Sequence, residues 1–217
     1  MHVTQRGVNR CAIFLDDFDR VHYLRLLKQV FRVTGIALHA YVLMDNHVHL
    51  LLTTRRVGDL SRAMHALGHN YVATFNARHG RVGALWQGRF KACAVDTDAY
   101  LFTVMRYIEL NPVRAGMTTT PEGHAWSSVH AHLGRCIDPL LELHPLYLSL
   151  RSNAESRHRA WHDWLQEGLA DVDLAAIRRH LDRQAALGDQ VFQAMVEKAL
   201  NRPAPCRPRG RPARAAD

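Results

Sequence analysis

Two apolar runs joined by Asp45-Asn46 do most to limit how this chain can fold. Residues 36–44 are rich in apolar and aromatic side chains, a second apolar run follows from His47 to Thr53, and the polar pair between them has turn chemistry. The pattern predicts a β-hairpin, bracketed by helical patterns. Upstream, Val21, Leu24, Leu27 and Phe31 recur at helical spacing behind Asp16-Asp17, and Gly35 stops the run. Downstream, Asp59 is expected to cap a second helix that turns Leu60, Met64, Leu67, Tyr71 and Phe75 inward and ends near Gly80.

The flanks complete an order. His2 to Arg6 predicts a short opening strand and residues 89–95 another, after a loop over 80–88 that mixes cations with rings. Asp96 caps a predicted third helix over 97–111, with Asp98 well placed in its first turn. Pro112 forces an end, because the residue before proline is biased away from helix. The result is β-α-β-β-α-β followed by a helix: an α+β, ferredoxin-like, four-stranded antiparallel sheet with two helices on one face and the other face open for a site. Beyond Gly116 the pattern weakens, with helical segments expected over 154–168 and 174–200. The expected division is residues 1–117, a mostly helical extension over 118–201, and a basic tail over 202–217 whose Pro, Arg and Ala content predicts disorder when free.

Composition narrows the partners. The formal charge of +8 on 217 residues points to a polyanion, nucleic acid before membrane. Only Lys28, Lys91 and Lys198 are lysines among 28 basic residues; GC-rich coding explains most of that ratio but not the net charge. Cys11, Cys93, Cys136 and Cys206 are scattered without a Cys-x-x-Cys pair, against a zinc ribbon or a disulfide scaffold. No signal segment or membrane-length apolar run is visible, so a cytoplasmic location and no membrane partner are expected.

His47-Val48-His49 is the sharpest chemical feature. On a strand, residues i and i+2 share a face, so both imidazoles project together and can hold one divalent ion. In a chain with 15 histidines, two polar residues on a solvated face is the competing reading. Tyr107 and Asn111, four apart at the end of the third helix, share one helix face. If that helix packs over the open face, it delivers a phenol and an amide oxygen to the histidines, leaving coordination positions free for phosphate and water. Pro112 weighs against Asn111 keeping to the helical track. Glu109 faces away from Tyr107 on an ideal helix and is read as solvated. His65/His69 and His158/His162 are read as surface pairs, Trp161, Trp164 and Leu165 as the apolar face of a helix, and Cys93 as core.

The segment Tyr41-Val42-Leu43-Met44-Asp45-Asn46-His47-Val48-His49 resembles the His-hydrophobe-His signature of HUH single-strand transposases. Residues 106–116 (Arg106-Tyr107-Ile108-Glu109-Leu110-Asn111-Pro112-Val113-Arg114-Ala115-Gly116) resemble the nucleophile helix of REP-associated tyrosine transposases. His2-Val3-Thr4-Gln5-Arg6-Gly7, Leu85-Trp86-Gln87-Gly88-Arg89-Phe90 and Trp126-Ser127-Ser128 are similar to the same group, in order and spacing, over residues 2 to about 134. The resemblance implies an HUH-type catalytic domain over residues 1–117, with Tyr107 as nucleophile, His47 and His49 as metal ligands and Asn111 as the third. It also implies Mg²⁺ or Mn²⁺, a hairpin-forming palindromic DNA repeat as substrate, and a bacterial, nucleoid-associated enzyme working as monomer or homodimer. The chain departs from the pattern at its start, where the first strand has almost no lead-in; a misassigned start codon and a trimmed edge strand are the two readings.

Arg81, Trp86, Arg89, Phe90 and Lys91 combine cations with rings able to stack on unpaired bases, and Arg114 adds a further cation. Trp86 and Phe90 are as readily core. Arg207, Arg209 and Arg211 stand in an AT-hook-like run, with a solvated basic tail as the alternative. The leading expectation is thus a metal-dependent single-strand DNA endonuclease and strand transferase. A non-catalytic DNA-binding regulator is one rival, and a metal hydrolase on a His-x-His strand another.

Overall fold

The computed structural model describes residues 1–201 and 203–206; Arg207, Arg209 and Arg211, expected to touch DNA, lie outside them. The element order follows the apolar pattern: β1 (His2–Arg6), α1 (Asp17–Thr34), β2 (Ala37–Met44), β3 (His47–Thr53), α2 (Asp59–Arg78), β4 (Lys91–Cys93) and α3 (Thr97–Glu109). The strands form one antiparallel sheet in the order β2-β3-β1-β4, the ferredoxin-like arrangement. β1, short of lead-in, runs through the interior of the sheet, paired to β3 on one side and β4 on the other, and is not an edge.

Local chemistry explains the boundaries. Asp16 caps α1, accepting from the Asp19 amide, and Gly35 closes it at φ 66°, a left-handed turn that glycine adopts without Cβ strain. Asp59 sits one residue inside α2; Gly58 is the cap, and the Asp59 carboxylate takes the Arg56 amide and pairs with Arg62. α3 is capped by Asp96.

The two faces of the sheet differ. Val3, Leu38, Leu43, Val48, Leu50 and Leu52 pack under α1 and α2, against Tyr23, Leu27, Phe31, Leu67, Tyr71 and Phe75. The other face, expected to be open, lies under α3 and the chain beyond it. Ala40, Val42, Met44, Leu51 and Cys93 meet Leu101, Val104, Met105 and Ile108, then Val129, Tyr147, Trp161 and Ile177. Those last residues come from α5 (Val129–His132), α6 (Pro145–Leu148), α7 (Ala154–Gln166) and α8 (Asp171–Arg183), after the single turn α4 (Asn111–Arg114).

Two details beyond residue 117 were not legible. Trp126 to Ser128 runs along the free side of β2: the Leu43 amide donates to Trp126 O and the Ser128 amide to Tyr41 O. The helix expected over 174–200 is broken into α8 and α9 (Gln190–Leu200). Gln184 turns left-handed at φ 53°, and Leu187 then bridges residues 94–96 through two backbone hydrogen bonds of 2.8 Å. Among the described residues no helix is long and apolar enough to cross a membrane.

Candidate active site

The β1/β3 register lines up His2, Thr4 and Arg6 with Leu51, His49 and His47 on the face beneath α3. Val48 points the opposite way and is fully buried, as a strand period of two requires. The His47 and His49 rings lie 5.0 Å apart, nearly perpendicular. Both are held neutral: burial, with Arg6 and Arg114 nearby, lowers His47 to about 4. Burial, then the neighbouring His2, takes His49 well below the usual histidine value.

The proton on His47 can be located. Asn46 Nδ2 donates to the Arg10 carbonyl at 3.2 Å, which turns Asn46 Oδ1 toward His47 Nδ1 at 2.6 Å. An amide oxygen only accepts, so His47 carries its proton on Nδ1 and leaves a lone pair on Nε2.

Tyr107 comes from α3. Its ring meets the His49 ring edge-on at 5.6 Å and the His2 ring at 5.7 Å. The Arg114 guanidinium lies 4.2 Å from the Tyr107 ring centre, and its Nη1 donates to the Tyr107 carbonyl at 3.0 Å. Together these leave Tyr107 only 5% exposed. Asn111 does leave the α3 track: the helix ends at Glu109, Leu110 adopts φ −83° and ψ −1°, and α4 restarts at Asn111. The Asn111 side chain is buried and its Nδ2 has no hydrogen-bond partner. Among the described residues no group of three or more His, Cys, Asp or Glu side chains is disposed to hold a metal ion.

The expected DNA contacts fall elsewhere. Trp86, Arg89, Phe90 and Lys91 line a cleft of about 1390 Å³ between α2 and the segment leading into β4. Trp86 is half-buried with its ring 6.0 Å from Tyr71, Arg89 is exposed, and Lys91 pairs with Asp182 of α8 at 2.7 Å. Arg81 rests 5.6 Å from the Phe75 ring centre. Of the expected DNA contacts among the described residues, Arg114 alone stands with the histidines and Tyr107. His65 and His69 are exposed, as expected for a surface pair.

Glu109 is the clear correction. It is fully buried, not solvated, and accepts from Ser128 Oγ at 2.7 Å, Trp161 Nε1 at 2.8 Å and His132 Nδ1. It does face away from Tyr107, but toward the helices that cover α3, whose path the local pattern could not reveal. The second residue missed is His2, whose Nε2 lies 2.9 Å from His49 Nδ1. Strand periodicity puts His2 on one face with Thr4 and Arg6; only the pairing register brings it to His49.

Among curated proteins, none matches this chain. Among solved structures it is similar to a REP-associated tyrosine transposase bound to a REP hairpin, at 22% identity over 67% of this chain and 85% of the other, with a TM-score of 0.51. That likeness is one of fold. The model of the IS200-like transposases matches residues 1–111, a span holding the sheet, α1 to α3, both histidines and Tyr107, and on that match this chain belongs to the IS200-like transposase family.

Proposed function

We propose that this transposase cuts single-stranded DNA beside a hairpin-forming palindrome through a covalent 5′-phosphotyrosine on Tyr107. The observation that carries the reading is the packing of the Tyr107 ring against His49, 5.6 Å away, on the face where His47 and His49 project together. A phenol with an ordinary pKa of about 10 is a poor nucleophile at neutral pH without help in shedding its proton.

The residues present fit a divalent cation, Mg²⁺ or Mn²⁺. His47 has a free Nε2 lone pair, both imidazoles are neutral, and Asn111 is a buried amide with an unsatisfied edge, which either of its terminal atoms can occupy. His47, His49 and Asn111 are the ligands proposed, and the ion would supply charge to offset the negative charge that builds on the scissile phosphate. Tyr107 Oη forms a bond to phosphorus as the bond to the 3′ oxygen breaks; that oxygen leaves with a proton as a free 3′-OH. The phosphodiester energy is retained in the tyrosine ester, so a 3′-OH can reverse the step and join strands.

Arg114 lies over the nucleophile and is the cation best situated to meet the incoming phosphate, drawing off the Tyr107 ring as it does so. The cleft beside α2, with Trp86, Arg89 and Phe90, suits unpaired bases and backbone at a distance from the chemistry. The proposed division remains a catalytic unit over residues 1–117, a helical extension over 118–201 and a basic tail over 202–217.

The test incubates the protein with a labelled single-stranded hairpin from the flanks of its own gene, with Mg²⁺ or Mn²⁺, and resolves the products under denaturing conditions. Label travelling with the protein, and lost in Tyr107→Phe and in the His47→Ala/His49→Ala double variant, supports the mechanism. Cleavage without an adduct points to hydrolysis, and binding with no cleavage to a DNA-binding regulator; either outcome overturns the proposal.

A further inference from the structure

An imidazole that ligates a cation through Nε2 must carry its proton on Nδ1, and in a buried ring that proton needs an acceptor. For His47 the acceptor is its own neighbour, Asn46. His49 has no such neighbour in sequence. Its Nδ1 faces His2 Nε2 at 2.9 Å, across 47 residues of chain, with both rings buried. His2 arrives there because the central strand β1 sets it opposite Leu51 on β3 and Cys93 on β4.

One hydrogen can lie between those two nitrogens. If His2 Nε2 donates it, His49 Nδ1 accepts, and neutral His49 must then keep its proton on Nε2, where a cation cannot bind. If His49 Nδ1 donates, its Nε2 lone pair is bare and His2 carries its own proton on Nδ1. Only the second arrangement gives the same tautomer that Asn46 imposes on His47.

We propose that His2 is a positioning residue whose Nε2 accepts the His49 Nδ1–H and so holds His49 in the tautomer that offers Nε2 to a divalent cation. The inference rests on the reading of His47 and His49 as metal ligands. The His2 ring also packs edge-on against Tyr107 at 5.7 Å, so it joins the ligand and the nucleophile through one rigid ring while touching neither substrate nor ion.

Mn²⁺ affinity of the full chain, measured by titration calorimetry, separates this role from packing. His2→Phe keeps a ring beside Tyr107 and removes the acceptor; His2→Gln gives up the ring but can accept through its amide oxygen. Loss of the hydrogen bond that orients a ligand costs about 10–100-fold in metal affinity. His2→Phe is expected to lose that much while His2→Gln stays close to wild type. A packing role predicts the reverse order, and His2→Phe binding as tightly as wild type overturns the proposal. Wild-type protein that does not bind Mn²⁺, or a His49→Ala variant that binds it undiminished, overturns instead the ligand reading beneath it. A measurement without any substitution stands beside these: two-bond ¹H–¹⁵N spectra of the Mg²⁺-bound full chain report each imidazole tautomer. A protonated His49 Nδ1 with a bare His2 Nε2 supports the assignment, and the opposite tautomers overturn it.

Discussion

Tyr107 and Glu109 stand two residues apart on α3 and enter opposite environments. Toward the sheet, Tyr107 meets His2, His49 and the Arg114 guanidinium, a group of neutral rings beside one cation, suited to an arriving phosphate. Away from it, Glu109 is sealed beneath α5 and α7, its carboxylate taken up by Ser128, His132 and Trp161. Both sides pair histidine with a hydrogen-bond partner. The difference lies in what the group offers: His47 leaves a lone pair beside Tyr107, while both oxygens of the Glu109 carboxylate are taken by protein donors and the one ring nitrogen without a partner there, His132 Nε2, is fully buried. A polar group that leaves valence free is poised for chemistry, and a buried carboxylate with both oxygens held by protein donors is a fastening. Here the fastening ties the end of α3, the helix that carries Tyr107, to the chain beyond residue 117. Ser128 extends the tie to the sheet by accepting from the Tyr41 amide at 3.0 Å.

If the contrast holds, variants on the two sides separate cleanly. The largest effect expected is on cleavage: Tyr107→Phe should lose roughly 10³-fold or more of adduct formation. Its unfolding free energy should stay near wild type, because the ring contacts survive; a stability loss rivalling that of Glu109 variants breaks the comparison. Next is Glu109→Ala, which strands His132, Ser128 and Trp161 without their acceptor and should cost about 3–5 kcal/mol in urea denaturation. Its folded fraction should still bind Mn²⁺ as wild type does. A variant equally stable but weak in metal binding would show that the two sides act as one.

Mn²⁺ gives a subtler separation. At about 100 times its Kd, the ion should stabilise wild-type protein by about 2.7 kcal/mol and do the same for Glu109→Gln, whose defect lies across the helix. The His47→Ala/His49→Ala variant should show no such gain, and a gain there removes the histidines from the site. The smallest effect belongs to the cleft beside α2. Trp86→Ala should weaken single-stranded DNA binding by about 1 kcal/mol, the low end for one stacked base, since its ring is already partly engaged by Tyr71. Adduct yield at saturating DNA should be unchanged, whereas a fall there would join the cleft to the chemistry.

The four strands, α1 to α3 and the pairing of His47 with His49 were legible because they depend on periods of two and 3.6 residues, which local sequence carries. Caps at Asp16 and Asp96 and the stop at Gly35 were legible for the same reason: each acts on amides a few residues away. The end of α3 was foreshadowed by Pro112, which has no amide to donate to the Ile108 carbonyl and so cannot continue the helix; the residue before it, Asn111, is helical all the same, in α4.

Tertiary structure alone decided the rest. The sequence by itself determined that two imidazoles share a strand face and that Tyr107 and Glu109 lie on different sides of one helix. It could not determine that β1 slides into a register bringing His2 to His49 across 47 residues, or that the chain returns to lay His132 and Trp161 on Glu109 from 23 and 52 residues away. Such meetings depend on strand pairing and helix packing between distant segments, where the free energy comes from burying shared surface and from hydrogen bonds between groups brought together there, not from any local period.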